Sequence, residues 1–172
     1  MTTKDLQQDE FHEYYGRYVY KLEDNLPLIE AFEQGKADTA SFFEGIPSEK
    51  HAYRYAEGKW SVKEVFQHLI DTERIFMYRC FRIARNDKTP LTGFDQNIYI
   101  APSNANGKSM EALIIEFKVL RDCSISMLKS FSEADLLCLG NSNGSPMSAR
   151  AAAFVIPGHN LWHQDVINER YL

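Results

Sequence analysis

The sequence AFVIPGHNLWH, residues 153–163, places two histidines four positions apart among apolar neighbours. On a helix this spacing puts the side chains of His159 and His163 on one face, one turn apart. Because the surrounding residues are apolar, we expect that face to look into a core. Two imidazoles at this separation can share a metal ion, although a third ligand is needed to hold it well. A single His-x-x-x-His pair also occurs in ordinary packing, so its interpretation depends on the rest of the chain.

Length and composition predict one globular domain spanning residues 1–172. Hydrophobic residues make up 44% of the chain, and the net charge of -5 leaves no basic excess to neutralise phosphates, so we expect no nucleic-acid partner. One basic cluster is interleaved with Glu73 and Asp87, which favours a solvated helix edge. Its members are Arg74, Arg79, Arg82 and Arg85.

The cysteines and the N-terminal residues predict a cytoplasmic protein without a membrane partner. Cys80, Cys123 and Cys138 are widely spaced and form no Cys-x-x-Cys pattern, as is typical of reduced thiols. Residues 1–24 are polar, acidic and aromatic, with no apolar signal core. We expect this leader to pack along the outside of the domain.

Hydrophobic periodicity predicts four long helices. The first begins near Asn25, carries Pro27 in its first turn and ends before Pro47. The second begins with a capping box, Ser61-Val62-Lys63-Glu64, and runs to about Asn86. Ser109 and Ser148 are placed to cap the third and fourth helices, which end near Phe131 and Tyr171, with Pro157 kinking the fourth. No strand is predicted, and residues 87–108 and 132–147 are interpreted as connections.

Connection lengths predict an up-down-down-up four-helix bundle. The 22 residues of segment 87–108 can span about 70 Å when extended, whereas a helix of 25 residues is about 37 Å long. This segment can therefore return along the whole bundle as a long crossover between helices two and three, which would then run parallel. The other connections suit antiparallel neighbours.

This order of helices supplies the third histidine. His68 lies about seven residues from the start of helix two, and His163 lies a similar distance from the end of helix four. If these helices are antiparallel, His68, His159 and His163 converge at one end of the bundle. Three imidazoles with an open fourth position are typical of a catalytic metal site.

Three charged residues near the histidines have both functional and structural interpretations. Asp71 and Asp165 are candidates to accept hydrogen bonds from the ring N–H groups. The alternative for both is a solvated flank, which is favoured for Asp165. Arg79, further along helix two, is a candidate contact for a substrate anion, with a structural ion pair as the favoured alternative. No catalytic residue is assigned from the sequence.

Several separated motifs together resemble the DinB-like superfamily. They are Gly58-Lys59-Trp60-Ser61-Val62-Lys63-Glu64-Val65, His68-Leu69-Ile70-Asp71-Thr72-Glu73-Arg74, Arg82-Ile83-Ala84-Arg85, Gly93-Phe94-Asp95-Gln96, Gly158-His159 with His163, and Glu169-Arg170-Tyr171-Leu172. The resemblance covers about residues 25–172. It implies an up-down-down-up bundle, often homodimeric, in which the positions of His68, His159 and His163 bind a divalent metal such as zinc or nickel. Pro157 and Trp162 depart from the usual pattern, since a small residue and a second histidine are common there.

The resemblance implies two kinds of function. The leading hypothesis is a metal-dependent enzyme, a transferase that activates a low-molecular-weight thiol towards a small substrate, with a metal-dependent hydrolase as its variant. The other is a non-catalytic, stress-associated metal-binding dimer. A homodimer is expected on either hypothesis, because Phe and Tyr together number 20 and such bundles often leave apolar surface uncovered.

Overall fold

The computed structural model describes residues 1–172 and contains the four long helices predicted from the sequence, together with shorter elements. In chain order the elements are α1 (Gly16–Val19), α2 (Leu28–Glu44), α3 (Val62–Ala84), α4 (Asn97–Ser103), α5 (Met110–Lys129), α6 (Glu133–Leu136), β1 (Leu139–Ser142), β2 (Ser145–Ser148) and α7 (Ala149–Arg170). Single turns of 3-10 helix occur at Thr3–Asp5, Gln8–Glu10, Glu13–Tyr15, Ser48–Lys50 and Ala105–Gly107. No helix combines the length and the apolarity needed to cross a membrane.

Serine side chains set the starts of three long helices. The Ser61 hydroxyl accepts a hydrogen bond from the Glu64 N–H at 3.2 Å, and the Glu64 carboxylate accepts one from the Ser61 N–H at 2.7 Å. Ser109 and Ser148 cap α5 and α7 by the first of these contacts alone, since their hydroxyls accept hydrogen bonds from the N–H groups of Ala112 and Ala151. The three predicted starts are therefore confirmed. Helix α2, the first of the four long helices, begins slightly later than predicted, with Pro27 as its N-cap.

Contacts between α3, α5 and α7 give the relative directions of these helices. Gln67 and Glu73 on α3 bond Glu116 and Arg121 on α5 respectively, so partners advance together along both helices and these helices run parallel. Across the bundle, the Tyr171 hydroxyl, just beyond the end of α7, donates to the carbonyl of Trp60, just before α3. Helices α3 and α7 are therefore antiparallel.

Contacts of α2 complete the arrangement. Lys36 and Glu44 on α2 pair with Asp122 and Lys118 on α5, so partners advance in opposite directions. Thr39 on α2 accepts a hydrogen bond from Gln164 on α7. Helix α7 continues through Pro157. The four-helix bundle predicted from the sequence is confirmed, and these contacts give α2, α3, α5 and α7 the directions up, down, down and up.

The two connections hold more structure than the sequence predicted. Segment 87–108 contains α4, and segment 132–147 contains α6 and a β-hairpin, so the expectation of no strand was wrong. The hairpin pairs Ser142 with Ser145 through the two-residue turn Asn143-Gly144. Both turn residues have positive φ, 54° and 80°, as a type I′ turn requires. Asn-Gly is the standard sequence signal for that turn, and it was present.

The leader is part of the core as well as of the surface. Tyr18, Val19 and Leu22 belong to the larger of two apolar clusters, which contains 23 buried residues, and Val19 is fully buried. The leader was expected only to cover the outside of the bundle, but it also contributes residues to the core. It packs chiefly against α7, the helix that carries two of the histidines.

Candidate metal centre

The three predicted histidines come together inside the bundle. His68 lies on the second turn of α3, and His159 and His163 lie one turn apart on α7. The Nε2 atom of His159 is 3.2 Å from Nε2 of His68 and 3.0 Å from Nε2 of His163. All three side chains are buried, and one ligand atom from each lies within 4.8 Å of the others.

This geometry fits a shared cation better than a hydrogen-bonded cluster. Zinc–nitrogen bonds of about 2.0–2.1 Å in a tetrahedral site place the ligand nitrogens about 3.4 Å apart. A neutral imidazole has one N–H donor and one acceptor nitrogen. The Nε2 atom of His159 therefore cannot satisfy both neighbours as acceptor, since it has a single in-plane lone pair. Three lone pairs directed at one divalent ion satisfy all three rings, so the donor set fits a divalent metal.

Burial keeps the three rings in the protonation state that binds metals. Burial lowers the pKa of His68 from 6.5 to about 4. It lowers the pKa of His159 and His163 well below the usual value, and the neighbouring histidines add to the effect. All three imidazoles are therefore neutral at neutral pH, with lone pairs free for a cation.

The outer nitrogens of two of the rings differ in their surroundings. Nδ1 of His68 lies 3.4 Å from the hydroxyl of Thr72, one turn further along α3. Nδ1 of His163 is buried without a hydrogen-bond partner. Sequence analysis did not identify Thr72 as a partner of the His68 ring. Its position four residues after His68 is the signal that could have identified it as a partner of that ring.

Neither predicted carboxylate contacts an imidazole. The Asp71 carboxylate accepts hydrogen bonds from Gln67 and Arg74, both at 3.0 Å, on the side of α3 that faces α5. Asp165 is exposed and pairs with Lys21. It follows His163 by two residues, which turns it about 200° around the helix, away from the ring. For both residues the solvated alternative describes the structure better than the functional one.

A cavity of about 320 Å³ opens above the histidines. Seven of the 16 residues that line it are aromatic: Tyr14, Tyr15, Tyr18, Trp60, Phe76, Phe94 and Trp162. The lining contains no aspartate and no glutamate, and Arg79 is its only permanently charged side chain. With a divalent ion on the triad, the cavity would hold a strong positive charge without an opposing carboxylate.

Aromatic rings hold the histidines from three sides. The Trp60 ring centre lies 4.8 Å from that of His68, Tyr18 lies 4.9 Å from His159, and Trp162 lies 4.7 Å from His163. Sequence analysis had missed the leader tyrosines as part of the site. Their spacing in the leader is irregular, and only the packing of α1 against α7 brings them to the cavity.

Arg79 is buried, contrary to the solvated helix edge predicted for its cluster. Only 3% of its surface is exposed, it lines the cavity, and it forms no ion pair, so the structural alternative favoured from the sequence is wrong. Glu73 from the same segment is also buried and pairs with Arg121. The interleaved charges suggested a solvated edge. Charge pairing along one helix, however, does not reveal which of its faces are covered by other segments.

The cysteines lie outside the cavity lining. Burial raises the pKa of the Cys80 thiol to about 12, which keeps it protonated and unreactive. Cys123 is exposed and Cys138 half-buried, and all three are free thiols. A nucleophile for chemistry at the histidines would therefore come from a bound molecule rather than from the protein.

Comparisons with known proteins agree with this architecture. The model of the DinB superfamily matches residues 31–167, which confirms the resemblance inferred from the sequence. A search of curated proteins finds no significant match. Among solved structures, YfiT from Bacillus subtilis superposes with a TM-score of 0.72 and 14% sequence identity, covering 95% of this chain and 89% of YfiT. YfiT is described as a probable metal-dependent hydrolase with an unusual four-helix bundle topology. At this identity the likeness supports the fold alone.

Proposed function

The chain belongs to the DinB superfamily, and on that premise we propose that it is a metal-dependent enzyme that activates a small thiol for transfer to an electrophile. The observation that carries the proposal is a triad of neutral imidazoles facing a cavity that has no carboxylate. The donor set suits zinc or nickel, because imidazole nitrogens are good ligands for both ions. If bound by the three histidines, such an ion would supply a positive charge that lowers the pKa of a thiol or of a water molecule beside it.

The chain's own residues favour a thiol over water as the nucleophile. Metal-dependent hydrolases of the His-Glu-x-x-His type use a glutamate as general base, and no carboxylate lines this cavity. Burial, together with the neighbouring Tyr14 hydroxyl, raises the pKa of Tyr18, so this phenol stays protonated and cannot serve as the base. A free thiol has a pKa of about 8.5, close enough to neutrality that it needs no such base. With a divalent ion held by the three histidines, the positive charge of the site would also favour a thiolate.

The residues that line the cavity would bind and orient the two reactants. Trp60 and Trp162 flank the histidines and limit the directions from which a ligand can approach. The remaining aromatic lining suits an apolar electrophile and excludes water from the space between the reactants. The leader completes the site by closing the cavity with Tyr14, Tyr15 and Tyr18.

A metal-dependent hydrolase is the second candidate. It is favoured by the likeness to YfiT, which is described as a probable hydrolase of that kind. The same triad and the same cavity would then act on water, and the substrate would be cleaved rather than conjugated. The two candidates differ in the product, which makes them separable in one assay.

The test is a turnover assay on zinc-loaded, nickel-loaded and metal-free protein. L-Cysteine or 2-mercaptoethanol is mixed with monobromobimane, and p-nitrophenyl acetate reports hydrolysis. We expect conjugation by the metal-loaded protein, and its loss in His68→Ala. His51→Gln is the control, since His51 bonds the carbonyl of Ile46 outside the cavity. Equal rates in all samples would remove the enzyme proposal in favour of a non-catalytic metal-binding protein, and ester cleavage alone would favour the hydrolase.

We also propose that the protein is a homodimer that uses the outer face of α5. Ile115 and Val119 lie one turn apart on this helix and are 63% and 65% exposed, so they form an uncovered apolar stripe. Light scattering should give twice the chain mass, and Ile115→Asp with Val119→Asp should give the monomer mass. A monomer for the unmodified protein at micromolar concentration would contradict this proposal.

A further inference from the structure

Arg79 is a buried cation with an unused donor. Its Nη2 atom donates to the carbonyl of Thr92 at 3.3 Å, but its Nη1 atom is buried and has no partner. Native proteins rarely leave a buried polar atom unsatisfied, because such an atom loses its hydrogen bonds to water without replacing them, and the cost is larger for a charged group. A donor that is left free inside a cavity wall points to a ligand that accepts from it.

The charge of Arg79 is also uncompensated. Other arginines of the chain pair with carboxylates, among them Arg121 with Glu73 and Arg150 with Glu10, but no carboxylate lies within ion-pair distance of Arg79. Arginine cannot lose its proton in a protein, so burial cannot neutralise it. The rings of Phe76 and Phe94, 4.8 and 5.6 Å from the guanidinium carbon, hold the group in place but carry no charge. An anion is the missing partner.

Arg79 lies on the same helix as the first histidine, at a different depth. His68 and Arg79 are both on α3 and both line the cavity. Their eleven-residue separation corresponds to a rise of about 16 Å, and helical side chains lean towards the N-terminus, which brings the guanidinium back towards His68. One small molecule can therefore extend from the histidines towards Arg79 along the aromatic wall.

We infer that Arg79 binds the carboxylate of a small organic acid, whose apolar body lies along the aromatic wall and whose other end reaches the histidines. A carboxylate supplies both the negative charge and the acceptor oxygens that Nη1 lacks. The identification of this acid as the substrate rests on the proposed function. The binding of the acid by Arg79 does not, since it needs neither metal nor turnover.

The test is calorimetric titration of metal-free and zinc-loaded protein with matched acids and amides. The probes are phenylacetate, 3-phenylpropanoate and octanoate, each paired with its uncharged amide. In metal-free protein we expect at least one acid to bind at least tenfold more tightly than its amide. Arg79→Met should remove this preference, and Arg79→Lys should restore part of it. Arg74→Met is the control, because Arg74 lies on the same helix but pairs outside the cavity with Asp71 and Glu116.

Each outcome separates this inference from the proposed function. Equal affinities of acid and amide in all three pairs, measured on the unmodified protein, would overturn the inference whether or not the variants fold. An acid preference that appears only with zinc, or that persists in folded Arg79→Met, would assign the carboxylate to the metal and also overturn it. An acid preference that depends on Arg79, in a protein without turnover, would support the inference while the enzyme proposal fails.

Discussion

The carbonyl oxygen of Tyr18 lies 2.1 Å from the position that a β-carbon on residue 158 would occupy, so the leader packs against α7 only because that residue is Gly158. The contact is backbone against backbone, which cannot be relieved by turning a side chain. It lies directly before His159, whose ring packs against the Tyr18 ring. The glycine therefore connects the position of the leader to the shape of the candidate metal centre.

Gly158→Ala is expected to displace the leader from α7. Overpacking of this kind costs about 1–3 kcal/mol and more where backbone must move, so we expect a loss of about 3 kcal/mol in the free energy of unfolding. Urea denaturation measures it, and faster hydrogen exchange in residues 14–20 locates it. Gly45→Ala is the control, since its β-carbon would meet the nearest atom at an ordinary 3.4 Å. Equal stability of the two variants would contradict the prediction.

A buried ion pair joins the N-terminal half of the leader to the start of α7. Glu10 accepts hydrogen bonds from Arg150, at the start of α7, and from the Ser148 hydroxyl. Burial raises the pKa of the Glu10 carboxyl, but these bonds and one from the Gln7 N–H outweigh it, so the pKa ends below its usual 4.5. The pair contributes stability that is fully present above the unfolded pKa of about 4.5 and is lost as pH falls through the folded pKa.

Glu10→Gln should therefore destabilise the protein most at neutral pH. Removing one partner of a buried pair costs about 3–5 kcal/mol, and we expect about 3 kcal/mol at pH 7 because the amide retains an acceptor. The difference from the unmodified protein should shrink below pH 4.5. Thermal unfolding followed between pH 3 and 7 measures it, with Asp24→Asn, from an exposed pair with Lys4, as control. A difference that does not change with pH would show that the carboxylate charge is not what matters.

The sequence predicted the parts of this structure that local rules determine. The serine caps marked three helix starts, and the depths of His68 and His163 along their helices predicted the triad. The caps depend on local helix geometry alone, whereas the triad also needed the antiparallel order of α3 and α7 that the connection lengths predicted. The contact of Thr72 with His68 was not predicted, because hydrophobic patterning cannot tell a core threonine from one that bonds a histidine ring.

What the sequence did not predict depends on contacts between distant segments. The burial of Arg79 and Glu73 depends on neighbours from segment 91–96 and from α5, which periodicity within α3 does not reveal. The aromatic leader residues reach the cavity only through the packing of α1 on α7. The β-hairpin was a failure of a different kind, because its Asn143-Gly144 signal was local and was not used.

The pair of Glu73 with Arg121 should dominate the stability of the bundle centre. Both side chains are fully buried, and the Arg121 Nη2 atom is 2.9 Å from the Glu73 carboxylate. Glu73→Gln leaves a buried guanidinium without its counter-charge, so we expect a loss of about 3–5 kcal/mol in the free energy of unfolding.

Glu44→Gln is the matched control for this prediction. It breaks the exposed pair of Glu44 with Lys118 between α2 and α5, which should cost at most about 1 kcal/mol. Urea denaturation of both variants gives the comparison. A similar small loss in both would mean that the buried pair is replaceable by neutral hydrogen bonds.

Thr72 provides a test of the metal centre that leaves all three histidines in place. If Nε2 of His68 faces the ion, its Nδ1 carries the proton and can donate to the Thr72 hydroxyl 3.4 Å away, which holds the ring in the correct tautomer. Thr72→Val keeps the shape of the side chain and removes this acceptor. Loss of such a partner weakens metal binding by about 10–100-fold, and we expect about 10-fold because the contact is long. Competition with a chelator measures the zinc affinity.

Thr39→Val is the control for the effect of removing a buried hydroxyl, since Thr39 accepts a hydrogen bond from Gln164 and does not line the cavity. Its variant should bind zinc as the unmodified protein does, even if it unfolds at a lower temperature. His163 offers no equivalent test, because its Nδ1 atom has no protein partner to remove. Equal zinc affinity in Thr72→Val and Thr39→Val would mean that packing against Trp60, rather than the hydroxyl, orients His68.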